Sequence, residues 1–423
     1  MLNSRDLKGT EMSETVRYRG EAGPGHILGL VASGQAQTRA ALAELTGLSR
    51  PTVSQRLETL FAAGLLRESD EILPSGGRPA RALVFDERSA LVLCVDVGEE
   101  RTRIALADLR GRLVDEDVQP FALGEGPAAV LDRIVHSARD LLAGLGGQAP
   151  RLAGVGVGLP APVDFGTGRT VGWSVMAGWE GYDVRGHLVE ALGVPVLVDN
   201  DVNLLTLAEH RAYWRQESHL LYVKAGTGIG SGIIADHQLN RGALGAAGDI
   251  GHARLSGYGD PACRCGNRGC VEALVGGWAV ARDLAPDRDR QVHDARDIAQ
   301  MVRRGDSAAI ARVRDAGRTL GEAIAFATSL LNPAVIVVGG MLTSAGDHLL
   351  AGVREVVYQR ALPLATKQLT IARSRLDHHG GVLGAALLVI DSILEPSAID
   401  AALARGSVDG VLSFVHDPLV GGR

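Results

Sequence analysis

The sequence predicts an α/β protein in which a winged helix-turn-helix precedes a larger βα domain built from two related halves. Three observations lead there. Between residues 25 and 88, apolar side chains recur at helical spacing and arginines are frequent. From Leu91 the pattern changes to short apolar strands, Leu91–Val95 and Arg103–Ala107, followed by a helical stretch at Pro127–Leu145. A second strand, glycine turn and strand follow at Leu220–Val223 and Gly232–Ala235, about 130 residues after the first, which indicates an internal repeat.

Bulk properties narrow the class. A chain of 423 residues exceeds one ordinary core, so two or three domains are expected. The net charge of −6 excludes nucleic-acid binding by bulk attraction, so any DNA contact must come from a local surface. The sequence contains no run of about 18 apolar residues, and residues 1–25 lack the apolar stretch of a secretory signal. A cytoplasmic protein with no membrane partner is expected. The expected divisions are a disordered leader at 1–23, the winged helix at 24–88, a first half at 89–212 and a second half at 213–395. A terminal helix of the second half is expected to pack back on the first. Charged stretches at 286–297 and 303–315 suggest exposed helical segments, and residues 396–423 form a tail without an assigned role.

Within the N-terminal domain, Thr38 suits the N-cap of a short helix that places Leu42 and Leu45 on one face. Gly47 permits a tight turn, and Leu48 can plug between helices. Ser49 caps a second helix with Pro51 in its first turn and Val53, Leu57 and Leu60 as the buried stripe. That leaves Arg50, Thr52, Gln55 and Arg56 on the free face, able to reach phosphates and base edges in a major groove. Gly64 ends the helix. Strands then flank the basic loop Pro74–Pro79, a wing from which Arg78 and Arg81 could reach the minor groove or the backbone. A helical protein–protein adaptor with a hairpin is the alternative. From residue 25 to residue 81, Arg39, Arg50, Arg56, Arg67, Arg78 and Arg81 are set against Glu44, Glu58, Glu68, Asp70 and Glu71. With so small a surplus, one copy would bind weakly. A homodimer or homotetramer reading half-sites of a double-stranded operator is expected.

Three of the four cysteines lie within eight positions, Cys263, Cys265 and Cys270, and His252 precedes them. One imidazole and three thiolates form a set that Zn²⁺ accepts as a closed tetrahedral site with a structural role. Cys94, in a strand beside Asp96, reads as a small core residue.

Four segments in order carry a family likeness: Asp199-Asn-Asp-Val-Asn203, Gly226-Thr-Gly-Ile-Gly-Ser-Gly232, Gly248-Asp-Ile-Gly-His252, and the cysteine cluster ending Cys270-Val-Glu272. Together they resemble the ROK family, which comprises repressors, open reading frames and sugar kinases on a two-lobed actin-like ATPase fold. The likeness spans roughly Leu91 to Ile393, and a winged helix ahead of it resembles the regulator branch. It implies that Asn200, Asp201, Asp249, His252 and Glu272 line a sugar pocket, with Asp201 at the position of the catalytic base. It also implies that Gly226, Thr227, Gly228, Gly230 and Gly232 present backbone N–H groups to phosphates. A hairpin bend is the plain alternative for that loop, and a solvated strand-end acid is the expectation for Asp199. The strand Asn332–Gly340 would approach the adenosine side, although a plain buried parallel strand reads the same.

Two departures from the family shape the functional expectation. Family kinases follow the first strand with Asp-x-Gly-Gly-Thr, whereas this chain has Asp96-Val-Gly-Glu-Glu100. Carboxylates at Glu99 and Glu100 would face phosphate charges, at about 1–4 kcal/mol each for like charges roughly 4 Å apart. Binding of ATP with Mg²⁺ is therefore not expected, and Asp201 would be vestigial as a base. The second departure puts Val175 where the family has a pocket Asn, and Asp249 replaces its Glu, which leaves the saccharide open. The expectation is a sugar-responsive DNA-binding repressor whose kinase-like domain binds a small saccharide without phosphorylating it. The rival expectations are an active sugar kinase with a DNA module and a regulator controlled by contact with a transport component.

Overall fold

The computed structural model describes residues 22–73, 80–99, 101–120, 123–147, 150–172, 176, 178–285, 292–376 and 378–405. The described residues form two compact units, 22–89 with 393–405, and 90–392. The expected leader (through Glu21), the wing loop Pro74–Pro79 with Arg78, Glu100, the Trp173–Val175 segment, residues 286–291 and the tail beyond Arg405 lie outside the described residues.

In the first unit, α1 (Pro24–Ala32), α2 (Arg39–Thr46) and α3 (Arg50–Ala62) precede a hairpin of β1 (Leu66–Leu73) and β2 (Ala80–Phe85). Local chemistry sets the boundaries. Thr38 caps α2 through the Ala41 N–H, Gly47 closes it in the left-handed region, and Ser49 caps α3 through the Thr52 N–H. Val53, Leu57 and Leu60 are fully buried. Leu45 is exposed, and α2 buries Thr46 beside Leu42 instead.

In the second unit, the first lobe holds β3 (Leu91–Val97), β4 (Thr102–Asp108), β5 (Leu113–Gln119), α4 (Pro127–Gly144), β6 (Leu152–Leu159), the short pair β7 (Val163–Asp164) and β8 (Arg169–Thr170), α5 (Val184–Leu192), β9 (Val196–Asn200) and α6 (Asp201–Tyr213). The second lobe holds β10 (Leu220–Ala225), β11 (Ile229–Ala235), β12 (Gln238–Asn240), α7 (Val271–Val275), α8 (Gly277–Leu284), α9 (Ala295–Arg303), α10 (Ser307–Leu331), β13 (Val335–Gly339), α11 (His348–Arg360), α12 (Pro363–Thr366) and β14 (Thr370–Arg373). α13 (Gly380–Ile393) and α14 (Pro396–Ala404) follow.

The strand orders are β5-β4-β3-β6-β9 and β12-β11-β10-β13-β14. In both sheets the first three strands in sequence pair antiparallel and the last two add in parallel. The internal repeat is thus a repeat of topology, with β3 matching β10 and β9 matching β14. α13 lies against the first sheet. A Cβ at Gly156 of β6 would come within 2.3 Å of the Ala385 carbonyl oxygen, so only glycine permits that approach.

Two expectations need correction. The charged stretches near 286–297 and 303–315 are not free surface helices. α9 buries Ala295, Ile298, Ala299 and Val302, and α10 buries Ala309, Val313 and Ala316, so their charges form only the outer faces. The described part of the tail is also structured. α14 packs on α1 in the first unit, and Asp400 Oδ1 accepts a 2.7 Å hydrogen bond from the Gly25 N–H. Among the described residues, no single helix is long and apolar enough to cross a membrane. Leu57→Ala is expected to loosen the first unit by about 2–5 kcal/mol. Amide exchange should rise across α3 while β3 and β6 keep their protection.

Candidate functional site

Two sites emerge, a helix face in the first unit and a cavity in the second. On α3, Arg50 and Gln55 are exposed. Thr52 is half-buried, and its hydroxyl lies 2.8 Å from Ser49 Oγ, so it serves the cap as well as the face. Arg56 is also half-buried, with Nη1 enclosed and without a hydrogen-bond partner among the described residues. The free face is therefore narrower than the helical spacing suggested. Arg81 on β2 is exposed.

The cavity gathers side chains from both lobes. Asn200, Asp201, Asp249, His252 and Glu272 all line it, with Glu99, Lys224 and Arg264. Asn200 and Asp201 sit where β9 turns into α6, a helix start that exposes polar groups. Asn200 is already committed on both sides of its amide. Its Oδ1 caps α6 through the Val202 N–H at 2.9 Å, and its Nδ2 donates to the Ala161 carbonyl at 3.0 Å. Glu272, at the start of α7, is buried and accepts from the Ile229 N–H at 3.1 Å and from Trp278 Nε1 at 3.3 Å. Gly228 is small because the Glu272 carboxylate passes over it, 2.5 Å from where a Cβ would stand.

The expected phosphate loop divides. Gly228 and Gly230 line the cavity, whereas Gly226, Thr227 and Gly232 do not. Gly230 and Gly232 belong to β11, opposite Lys224 and Tyr222, so most of the segment is the hairpin between β10 and β11. A side chain at Gly230 would meet Val202, and one at Gly232 would meet Thr206, so both admit α6. Gly339 and Gly340, after the strand matched to the adenosine side, are not among the lining residues.

Charge in the cavity is arranged around Lys224, which the sequence reading missed. Its ammonium donates a hydrogen bond to Asp201 Oδ2. Burial acts to lower the lysine's pKa, but Asp201 and then Asp96 outweigh it and hold it above the usual value. Asp96 is pushed up to about 6 by burial and by Asp201, with Lys224 and Arg103 opposing. Burial also raises Glu99, against the pull of Arg264 and Lys224. A lone lysine in the apolar run Leu220–Ala225 was the available signal. Asp199 is not a solvated acid. It is 2% exposed, pairs with Arg241 at 2.7 Å and accepts from Asn203 Nδ2 at 2.8 Å.

His252, Cys263, Cys265 and Cys270 present their ligand atoms within 4.8 Å of one another. Cys263 Sγ lies 3.7 Å from His252 Nδ1, and Cys265 Sγ lies 3.8 Å from Cys270 Sγ. Bonds of about 2.3 Å to a tetrahedral ion give ligand separations of about 3.8 Å, so the donor set fits a metal of that kind. Cys270 also stands at the N-cap of α7, one residue before Val271 and two before Glu272.

Comparisons with known proteins agree with this architecture. The ROK family model matches residues 92–392, and the IclR helix-turn-helix domain model matches residues 25–70. The chain is 26% identical over 360 residues to the xylose repressor of Bacillus spizizenii, covering 85% of this chain and 92% of that one. It is 28% identical over 377 residues to the DNA-binding transcriptional dual regulator NagC of Escherichia coli, covering 84% and 89%. A glucokinase of Halalkalibacterium halodurans is 31% identical over 312 residues, covering 70% and 93%. A crystal structure described as a ROK family transcriptional regulator, homolog of the E. coli MLC protein, superposes with a TM-score of 0.78 at 24% identity, over 92% of this chain and 98% of that one. A helix-turn-helix unit, paired five-stranded sheets, a cleft carrying the family motifs and a match over most of the length agree: the chain belongs to the ROK family.

Proposed function

We propose that the chain is a sugar-responsive DNA-binding repressor whose cavity binds a small saccharide without phosphorylating it. The observation that carries this reading is the Lys224 hydrogen bond to Asp201. The carboxylate at the position of the base already accepts from an ammonium where a kinase would need it to accept a proton from the sugar hydroxyl. Glu99 lines the same cavity and adds negative charge where transferred phosphates would need stabilisation. A xylose repressor and NagC among the relatives support the regulatory role.

Asn200, Asp201, Asp249, His252 and Glu272 hold the saccharide in this reading, and a neutral polyol suits the acidic lining. Arg50, Thr52, Gln55, Arg56, Arg78 and Arg81 face the operator, read by a homodimer or homotetramer in the cytoplasm. Zn²⁺ at His252, Cys263, Cys265 and Cys270 is structural, since four protein ligands complete the tetrahedron. When bound, it supplies rigidity to the loop that ends at Glu272. Saccharide binding favours one closure state of the lobes by a few kcal/mol, enough to shift DNA occupancy.

The glucokinase relative and the retained Asp201 favour a second reading, an active sugar kinase. ADP release with glucose, xylose and N-acetylglucosamine separates the two: no turnover above the blank is expected, and brisk turnover would sink the regulatory reading. Operator fragments selected from random DNA should bind the full chain in fluorescence anisotropy at fixed salt. Arg50→Ala and Gln55→Ala should each weaken that binding roughly tenfold or more, on the scale of about 1–3 kcal/mol per lost base contact. Metal analysis should find one zinc per chain. Chelation should lower saccharide affinity about tenfold, with recovery when Zn²⁺ is returned; affinity that survives complete zinc removal would contradict the structural role.

A further inference from the structure

We propose that Arg241 is a positioning residue of the saccharide cavity, latching the loop that carries Asp249 to the first lobe. The loop leaves β12, the edge strand of the second sheet, and runs from Arg241 to Asp249. Gly245, Ala246, Ala247, Gly248 and Asp249 form one wall of the cavity. Five of its nine residues, 242–244, 246 and 249, are exposed, so packing alone holds it weakly.

Arg241 supplies the missing hold. Its Nε donates to Asp199 Oδ2 at 2.7 Å, and its guanidinium carbon lies 3.9 Å from the centre of the Phe165 ring. Both receiving groups are themselves fixed. Asp199 accepts at Oδ1 from Asn203 Nδ2 and from the Asn200 N–H, each at 2.8 Å. Phe165 lies in the turn between β7 and β8, where Arg185 donates to the carbonyls of Phe165 at 2.6 Å and Gly166 at 2.5 Å and, from the same guanidinium, to the Val196 carbonyl of β9 at 3.1 Å. The latch therefore joins the second lobe to parts of the first that cannot easily turn.

The loop is shaped to use this anchor. Ala247 N–H donates to the Arg241 carbonyl at 3.1 Å, closing the loop on its own start. The Gly248 carbonyl accepts from Ser231 N–H at 3.1 Å and Ser231 Oγ at 2.6 Å, which ties the far end to β11. A Cβ at Gly245 would stand 2.2 Å from the Val163 carbonyl oxygen, so the loop backbone lies directly on β7. Arginine suits the post because one planar fork both pairs with a carboxylate and stacks on a ring, which a lysine cannot reproduce.

Hydrogen exchange on the ligand-free full chain tests the latch. In Arg241→Gln, amides of residues 242–249 should exchange at least tenfold faster while β10 and β13 stay as in the wild type. Phe165→Leu should loosen the same segment, and Arg241→Lys should fall between. Unchanged exchange at 242–249 would overturn the proposal, and so would a rise that spreads into β10 and β13, since that marks a general folding role. The ligand arm rests on the saccharide reading and uses glucose, xylose and N-acetylglucosamine. For a sugar that binds the wild type, Arg241→Gln should raise Kd at least tenfold, mostly through faster dissociation. A loosened loop with unchanged affinity would overturn the positioning role. Failure of all three sugars to bind the wild type would count against the saccharide reading, and the exchange data would still decide the latch.

Discussion

The cavity depends on one turn of chain, where β9 becomes α6. Three consecutive residues there each hold a different part of the second unit. Asp199 takes Arg241 of the cavity-wall loop, Asn200 caps its own helix and holds the Ala161 carbonyl, and Asp201 takes Lys224 from the central strand of the second sheet. Buried carboxylates tolerate such positions only when paired and hydrogen-bonded, and Asp199 and Asp201 are both. Because first-lobe residues supply the carboxylates and second-lobe residues the cations, the turn is also where the lobes are joined by charge.

In the proposed reading, this arrangement would let a family motif persist while its chemistry changes. Asp201 occupies the position of the base, yet its nearest cation is a lysine of the same chain. The hairpin after β3 carries Glu99, whereas the corresponding hairpin after β10 keeps Gly228 and Gly230 along the cavity. The two topologically equivalent turns thus differ in polarity, and in the proposed reading a nucleotide phosphate would meet the less hospitable one. What remains is a cleft whose donors and acceptors suit hydroxyl groups.

Much of this was legible in the sequence, where the signals were local. Thr38, Gly47 and Ser49 marked helix ends through capping that needs only three or four neighbouring residues. The spacing of Cys263, Cys265 and Cys270 announced a cluster that could hold a metal, and the four-part family resemblance named five residues that do share one cavity. The failures share a different cause. Asp199, Lys224 and Arg241 owe their burial or partners to segments distant in sequence, and strand position carries no record of them, while Leu45 stays exposed although helical spacing put it on the buried face. α14 was missed because its short apolar face only makes sense against α1, more than 360 residues earlier. The charged stretches at α9 and α10 were expected as helices, but their buried faces, Ile298 and Val302 on α9 and Val313 on α10, were not, because what they pack against lies elsewhere in the sequence.

The path of the chain between the two units has a mechanical meaning. Among the described residues it crosses between them twice, near Ser89 before β3 and near Ser392 at the end of α13. β3 is the central strand of the first sheet, and α13 lies on β6 of that same sheet, with Ala385 against Gly156. Among the described residues, both covalent bridges to the helix-turn-helix unit therefore spring from the first sheet or the helix that lies on it. In the proposed reading, a signal that starts at the saccharide cavity reaches the helix-turn-helix along links that belong to the first lobe, so Asp199 and Asp201, which clasp Arg241 and Lys224 of the second lobe, would act as its gears.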